Sequence, residues 1–307
     1  MITHYFKTLK DSELKTLEKP RTGVWTHVVK PTEEELERLV GEYALDEAIL
    51  EDAQDFFEVP RMERSQGATY FFTRYPFDEK QEDTDTAPLL IVMGESYVIT
   101  LALREVPQFK PFLEGTEDII TTQKAKFFIQ IMTGITTAYE KKLVSLRRAV
   151  HRDRVKLRKI GPRDIQRLVN YENELNNIVA AVIPTNTWLN QVTTGNYMQL
   201  YNEDVELMED LMIANSQLID SAKQLLKTIQ NVRGASEAIM TSALNNSIRF
   251  LTVLTILLTV PTIIGSLYGM NVPLPLGDEP LAFPLIIGVI VLAVAVLVAI
   301  FKKNEWL

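Results

Sequence analysis

No charged residue occurs between Phe250 and Gly277, and none occurs between Leu281 and Phe301. The first run reads as helix over the 18 residues Phe250–Leu267 and extends naturally to Tyr268, and the second is 21 residues long. About 20 helical residues cross the apolar core of a bilayer, so the two runs predict a transmembrane hairpin. A hairpin buried in a soluble protein is the competing reading. The stretch GVIVLAVAVLVAI, residues 288–300, argues against it, because it has no polar face to turn to water. Arg249 precedes the hairpin, Lys302 and Lys303 follow it, and the intervening loop carries only Asp278 and Glu279. Basic residues stay on the cytoplasmic side, so both termini are expected there. The start, MITHYFKTLKDSELK, has no apolar run behind it and does not read as a signal peptide.

The rest of the chain divides by pattern. Residues 1–118 hold 25 acidic and 13 basic side chains. In them β-rich runs (TYFFTRYPF, PLLIVMG, SYVITLA) alternate with acidic helical stretches, the first with a start near Pro31-Thr32. Gly94-Glu95-Ser96 reads as a hairpin turn between Ile91–Met93 and Tyr97–Leu101. These features predict a cytoplasmic α/β domain. Residues 119–247 read as a long helical stalk, with a break at Gly161-Pro162. From Asn196 to Val260 there is no proline, and Gly234 is the only glycine. An unbroken helix from there to Tyr268 covers about 110 Å at ~1.5 Å per residue; two helices parted near Gly234 are the alternative. Residues 248–307 form the hairpin. The fold class is thus an α/β cytoplasmic domain joined by long α-helices to a two-helix transmembrane hairpin.

Composition excludes several classes of chemistry. The chain has no cysteine, so disulfides, thiolate metal sites and cysteine nucleophiles are ruled out. A formal net charge of -8 makes nucleic acid a poor partner. The basic run Lys141–Lys159 reads as a solvated face, or a complement to the acidic domain, rather than a nucleic-acid site. No phosphate loop, dinucleotide glycine pattern or nucleophile–base pair is visible, so no enzyme activity and no cofactor are expected.

Polar residues in the first apolar run are spaced in order. Thr252, Thr255, Thr259, Thr262 and Ser266 follow one another at gaps of 3, 4, 3 and 4, which places five hydroxyls on one helix face. Asn245 and Ile248 extend the stripe towards the cytoplasm. Small residues of this kind also serve helix packing, but a stripe on one helix only, through the whole depth of the membrane, reads as the wall of a water-lined pore. Two helices cannot enclose a pore, so several copies of the chain must surround it. Asn271, just past the helix, then becomes a ring of amides whose carbonyl oxygens accept from water retained by a cation. A neutral ring binds weakly enough to release the ion. Gly269 is expected to let the backbone turn and approach closely, and Tyr268 suits the interface between lipid and water.

The tetrapeptide Tyr268-Gly269-Met270-Asn271, at the outer end of the first of two terminal spans and followed by a short acidic loop and a helix ending FKKNEWL, resembles that of the CorA magnesium transporter family. The likeness runs the length of the chain. It implies a funnel-shaped homopentamer in the lipid bilayer that conducts Mg2+, with Co2+ or Ni2+ as further cargo. It implies that Asn271 of the motif holds the hydrated ion at the entrance, that Ile248 and Leu251 form a hydrophobic gate, that Asn245 forms an inner polar ring, and that Thr252 is a pore threonine. It also implies regulatory divalent-cation sites between neighbouring cytoplasmic domains, with Asp210 and Asp52 as acidic partners. The sequence departs from the family pattern at Pro261, displaced by one residue, at Ile256 in place of a threonine, in the loop VPLPLGDEP, and at Asn304 and Glu305 in the terminal basic cluster. A zinc transporter of the same superfamily and a membrane-anchored scaffold or sensor are the alternative functions.

Overall fold

The computed structural model describes residues 1–77, 86–154, 162–194, 197–272, 275, 281–304 and 306. Most of the expected outer loop, the end of the basic run and Gly161 lie outside the described residues. The chain forms two compact units, Met1–Val232 and Arg233–Leu307.

The first unit is built on a seven-stranded sheet. Its strands are β1 (Ile2–Phe6), β2 (Lys15–Leu17), β3 (Val24–Val29), β4 (Met62–Ser65), β5 (Ala68–Pro76), β6 (Thr86–Met93) and β7 (Tyr97–Ala102), in the order β2-β1-β3-β7-β6-β5-β4. β3 and β7 pair in parallel; the other neighbours pair antiparallel. The expected hairpin at Gly94 is present, with Met93 opposite Val98. A Cβ on Gly94 would lie 2.2 Å from the Tyr97 ring, so the turn requires glycine.

Side chains alternate across the sheet with period two. Tyr70, Phe72, Leu90, Val92, Ile99 and Leu101 join the core beneath α1 (Glu33–Tyr43) and α2 (Glu47–Asp52). Phe71, Tyr75, Leu89, Ile91 and Val98 face the other way. There they meet α4 (Lys124–Arg154) and α5 (Pro162–Val192), and the first part of α6 (Asn202–Tyr268) continues the same core. A short α3 (Lys110–Leu113) precedes α4. β5 and β6 are buried along their whole length, which is why they read as continuous apolar runs rather than alternating ones.

Local chemistry agrees with these elements. Thr32 caps α1: its hydroxyl accepts from the Glu35 N–H at 3.2 Å, and the Glu35 carboxylate accepts from the Thr32 N–H at 3.1 Å. This reciprocal cap satisfies two backbone donors that the helix leaves free. α5 begins at Pro162, the favoured first position for proline. α6 is one helix of 67 residues that passes through Gly234 without interruption.

Two buried polar side chains of the sheet, Arg74 and His27, are paired. Arg74 donates from Nε to Thr86 Oγ1 at 3.0 Å and from Nη2 to the Thr86 carbonyl at 2.8 Å. Its Nη1 donates to the carbonyls of Phe56 and Glu58, at 3.0 and 2.8 Å, and so ties the segment after α2 to the sheet. His27 contacts Thr100 Oγ1 through Nδ1 at 2.9 Å and packs on the rings of Trp25 and Phe109. Burial pushes the His27 imidazole down to about 4, against a smaller opposing effect of its bond at Thr100.

The second unit holds the end of α6 and α7 (Ala282–Lys303). Both helices are long and apolar enough to cross a membrane, and this is a two-pass membrane protein.

Candidate pore and regulatory carboxylates

Successive residues of an α-helix are turned by about 100°, and on α6 this rotation sorts two faces. Val253 is buried, and Ile256, Leu257, Val260, Pro261 and Ile264 are partly covered. On α7 the partly covered residues are Ala282, Ile286, Ile290, Ala293, Val294, Leu297 and Phe301, again mostly at spacings of three and four. Each helix of the hairpin thus turns one apolar face inward.

The hydroxyl stripe lies on the other side. Thr252, Thr255, Thr259, Thr262 and Ser266 are all exposed, and their mean direction is roughly 150° from that of the covered face. Asn245, Ile248 and Leu251 share this exposed side. The helix therefore brings together all the residues that the sequence assigned to the pore wall, and the hairpin does not use them for its own packing.

Four of the hydroxyls are already committed as donors. Thr252 donates to the Ile248 carbonyl at 2.8 Å, Thr255 to Leu251 at 2.8 Å, Thr259 to Thr255 at 2.7 Å and Thr262 to Leu258 at 2.8 Å. A hydroxyl has one proton and two lone pairs. With its proton bonded back along the helix, each oxygen presents only acceptor capacity outward. Water held around a cation points its hydrogens outward, so this stripe has the polarity that a hydrated cation requires.

The helix closes by tightening. The Gly269 N–H bonds the Ser266 carbonyl at 3.2 Å, and the Met270 N–H bonds Leu267 at 3.3 Å. Both are three-residue spacings, as is common in a last turn. A Cβ at Gly269 would stand 3.3 Å from the Gly265 carbonyl oxygen, while Gly269 is not among the residues with positive φ. The glycine thus serves a close approach to the preceding turn, not the left-handed bend that its type also allows. Met270 and Asn271 follow, both exposed.

The two carboxylates assigned to regulation lie in the first unit. Asp210 is exposed on α6. Asp52 is the last residue of α2, and its Oδ2 accepts from Arg61 Nη2 at 2.6 Å. Arg61 also bonds Glu58 and Glu63. The sequence reading missed this arginine. The available signal was the trio Glu58, Arg61 and Glu63, of which the last two are two apart on an extended segment and so share a face. Among the described residues, no three Asp, Glu or His side chains gather in a way that could hold a metal ion.

Residues 21–303 match the family model described as CorA-like Mg2+ transporter protein. The chain is 23% identical over 301 residues to the cobalt/magnesium transport protein CorA of Methanocaldococcus jannaschii, covering 92% of this chain and 91% of that protein. Among solved structures it resembles the complete CorA magnesium transporter of M. jannaschii, with a TM-score of 0.85 at 20% identity, covering 100% of this chain and 99% of the other. It also resembles the full-length CmaX protein, with a TM-score of 0.79 at 14% identity, covering 100% of this chain and 98% of the other.

Proposed function

Because this chain belongs to the CorA-like Mg2+ transporter family, we propose that its exposed hydroxyl stripe lines the path of the ions it carries. Passive transport of divalent cations, chiefly Mg2+, is the function; the chain is a channel and not an enzyme. The observation that carries the assignment of the path is the direction of the stripe. Five hydroxyls face away from the covered side of their own hairpin, and at least four of them offer only acceptors. A scaffold that used these residues for packing would have them against α7.

A closed ring of copies encloses such a path, and a homopentamer is the assembly proposed. In it Asn271 forms the outer ring that receives the hydrated ion, with Tyr268, Gly269 and Met270 holding the turn. Thr252 continues the wall, Ile248 and Leu251 form an apolar constriction that excludes water when closed, and Asn245 forms the inner polar ring. Residues 1–118 serve as the cytoplasmic sensing domain, residues 119–247 as the stalk, and residues 248–307 as the conducting hairpin, with both termini cytoplasmic. Asp52 and Asp210 of neighbouring copies respond to intracellular Mg2+: a bound cation cancels their repulsion and favours the closed state. Co2+ and Ni2+ are further cargo, and the zinc branch of the superfamily is the competing specificity.

The test is ion uptake into sealed liposomes at a set membrane potential, with Mg2+, Co2+, Ni2+ and Zn2+ compared. Asn271→Ala is expected to leave the oligomer intact and abolish most Mg2+ flux. Near-normal flux in that variant would remove Asn271 from the entrance. Uptake of Zn2+ driven by a pH gradient, without Mg2+ uptake, would establish the zinc alternative.

A further inference from the structure

We propose that Arg61 is a built-in competitor of the regulatory cation at Asp52, holding that carboxylate when Mg2+ is scarce and setting the concentration at which the ion takes it. This rests on the reading of Asp52 as a sensor residue.

The guanidinium is held from several sides. The Arg61 backbone pairs with Phe72, N–H to carbonyl at 3.2 Å in one direction and 2.8 Å in the other. Its guanidinium carbon lies 4.0 Å from the centre of the Phe72 ring. Nη1 donates to Glu58 and Nε donates to Glu63. The segment carrying Glu58 is in turn tied down by Arg74, which donates to the carbonyls of Phe56 and Glu58. These contacts do not involve Asp52, so the guanidinium stays in place without it.

Asp52 is the detachable partner. Its side chain is 54% exposed, against 28% for Arg61 and 12% for Glu58. It reaches Arg61 from the end of a six-residue helix through one bond of 2.6 Å. One positive charge faces three negative ones, so the cluster keeps a net negative charge that attracts cations. A cation that binds Asp52 must break one charge-assisted bond. The exchange strands no charge, because Arg61 keeps Glu58 and Glu63. Mg2+ retains most of its water, so it can meet Asp52 through that water on the exposed side.

The consequence is a sign opposite to simple charge loss at the sensor. Removing Arg61 frees Asp52, so the regulatory cation should bind more tightly. For a half-exposed pair of this kind the effect is about 1.5- to fivefold in concentration.

The experiment measures protease protection of the full-length oligomer against Mg2+. Wild type is compared with Asp52→Asn, Arg61→Gln, Arg61→Lys and the Asp52→Asn/Arg61→Gln pair. Asp52→Asn should raise or abolish the midpoint. Arg61→Gln should lower it by about 1.5- to fivefold, and this effect should vanish when Asp52 is already Asn. Arg61→Lys, which keeps the charge but loses the planar fork, should fall between wild type and Arg61→Gln. If the glutamine variant fails to assemble, the lysine variant decides, and a midpoint equal to or above wild type overturns the proposal. An unchanged or raised midpoint in Arg61→Gln, with Asp52→Asn still shifted, also overturns it and leaves the sensor reading intact. An Asp52→Asn midpoint equal to wild type removes the sensor reading, and the role of Arg61 falls with it.

Discussion

Replacing Thr259 by valine separates a pore wall from a packing seam. The two side chains have nearly the same shape, and the hydroxyl removed is bonded only to the Thr255 carbonyl, at 2.7 Å, in the same helix. That carbonyl already accepts the backbone N–H of residue 259 within α6, so the helix should be preserved. What disappears is one outward acceptor per copy. A hydrogen bond of this kind is worth about 0.5–1.5 kcal/mol net. If the passing ion's water touches two copies at this level, the loss is about 1–3 kcal/mol, or roughly 5- to 150-fold in rate at a step that limits flux. The assay is initial Mg2+ uptake into liposomes at equal protein content, beside Thr259→Ser, which keeps the oxygen. Uptake should fall at least fivefold in the valine variant and stay within about twofold of wild type in the serine variant. Wild-type uptake by Thr259→Val, with the oligomer intact, would refute the reasoning and return the stripe to packing.

Two further outcomes are expected. Ile248→Ser, on the exposed face of α6 at the level of the constriction, should raise leak at high Mg2+, because a hydroxyl wets a ring that excludes water when apolar; single-channel or flux recordings with unchanged leak would count against a gate there. His27 predicts a pH dependence of stability. Its folded value is about 4, below the ordinary 6.5, so the unfolded chain takes up the proton first as pH falls. Its contribution is complete above pH 6.5 and is lost progressively down to about pH 4, a total of about 3 kcal/mol. Denaturant titrations of wild type and His27→Gln across that window should converge towards low pH; parallel curves would contradict the burial of a neutral imidazole.

The hairpin and the hydroxyl stripe were legible because lipid and helix geometry each impose a simple pattern. A long uncharged run and a 3-4-3-4 spacing survive without any knowledge of neighbours. The Gly94 turn and the Thr32 start were legible for the same reason, being local chemistry. The way α4 and α5 cover the sheet was not. Phe127, Phe128, Trp188 and Leu189 are apolar helix residues in sequence, and only the sheet's second face, through Phe71 and Ile91, shows what they meet. The ion pair of Asp52 was hidden likewise. Its partner lies nine residues away, across the loop between a helix and a strand, where spacing carries no periodic signal. At Gly269 the sequence allowed both a turn and a close approach, and the structure shows the close approach without positive φ, since glycine's two uses look identical in a sequence.

In the proposed pore, the back-bonded threonines bear on which ions can pass. An anion sheds or keeps its water by finding hydrogen-bond donors, and Thr252, Thr255, Thr259 and Thr262 have already spent theirs on the backbone. At these four levels chloride would find oxygen lone pairs and no hydroxyl donor, which disfavours it. The proposed wall would thus discriminate by the sign of the charge without containing a charge itself. None of these side chains titrates in the physiological range, so this discrimination should hold equally in acid and in alkali, where a carboxylate-lined path would change character.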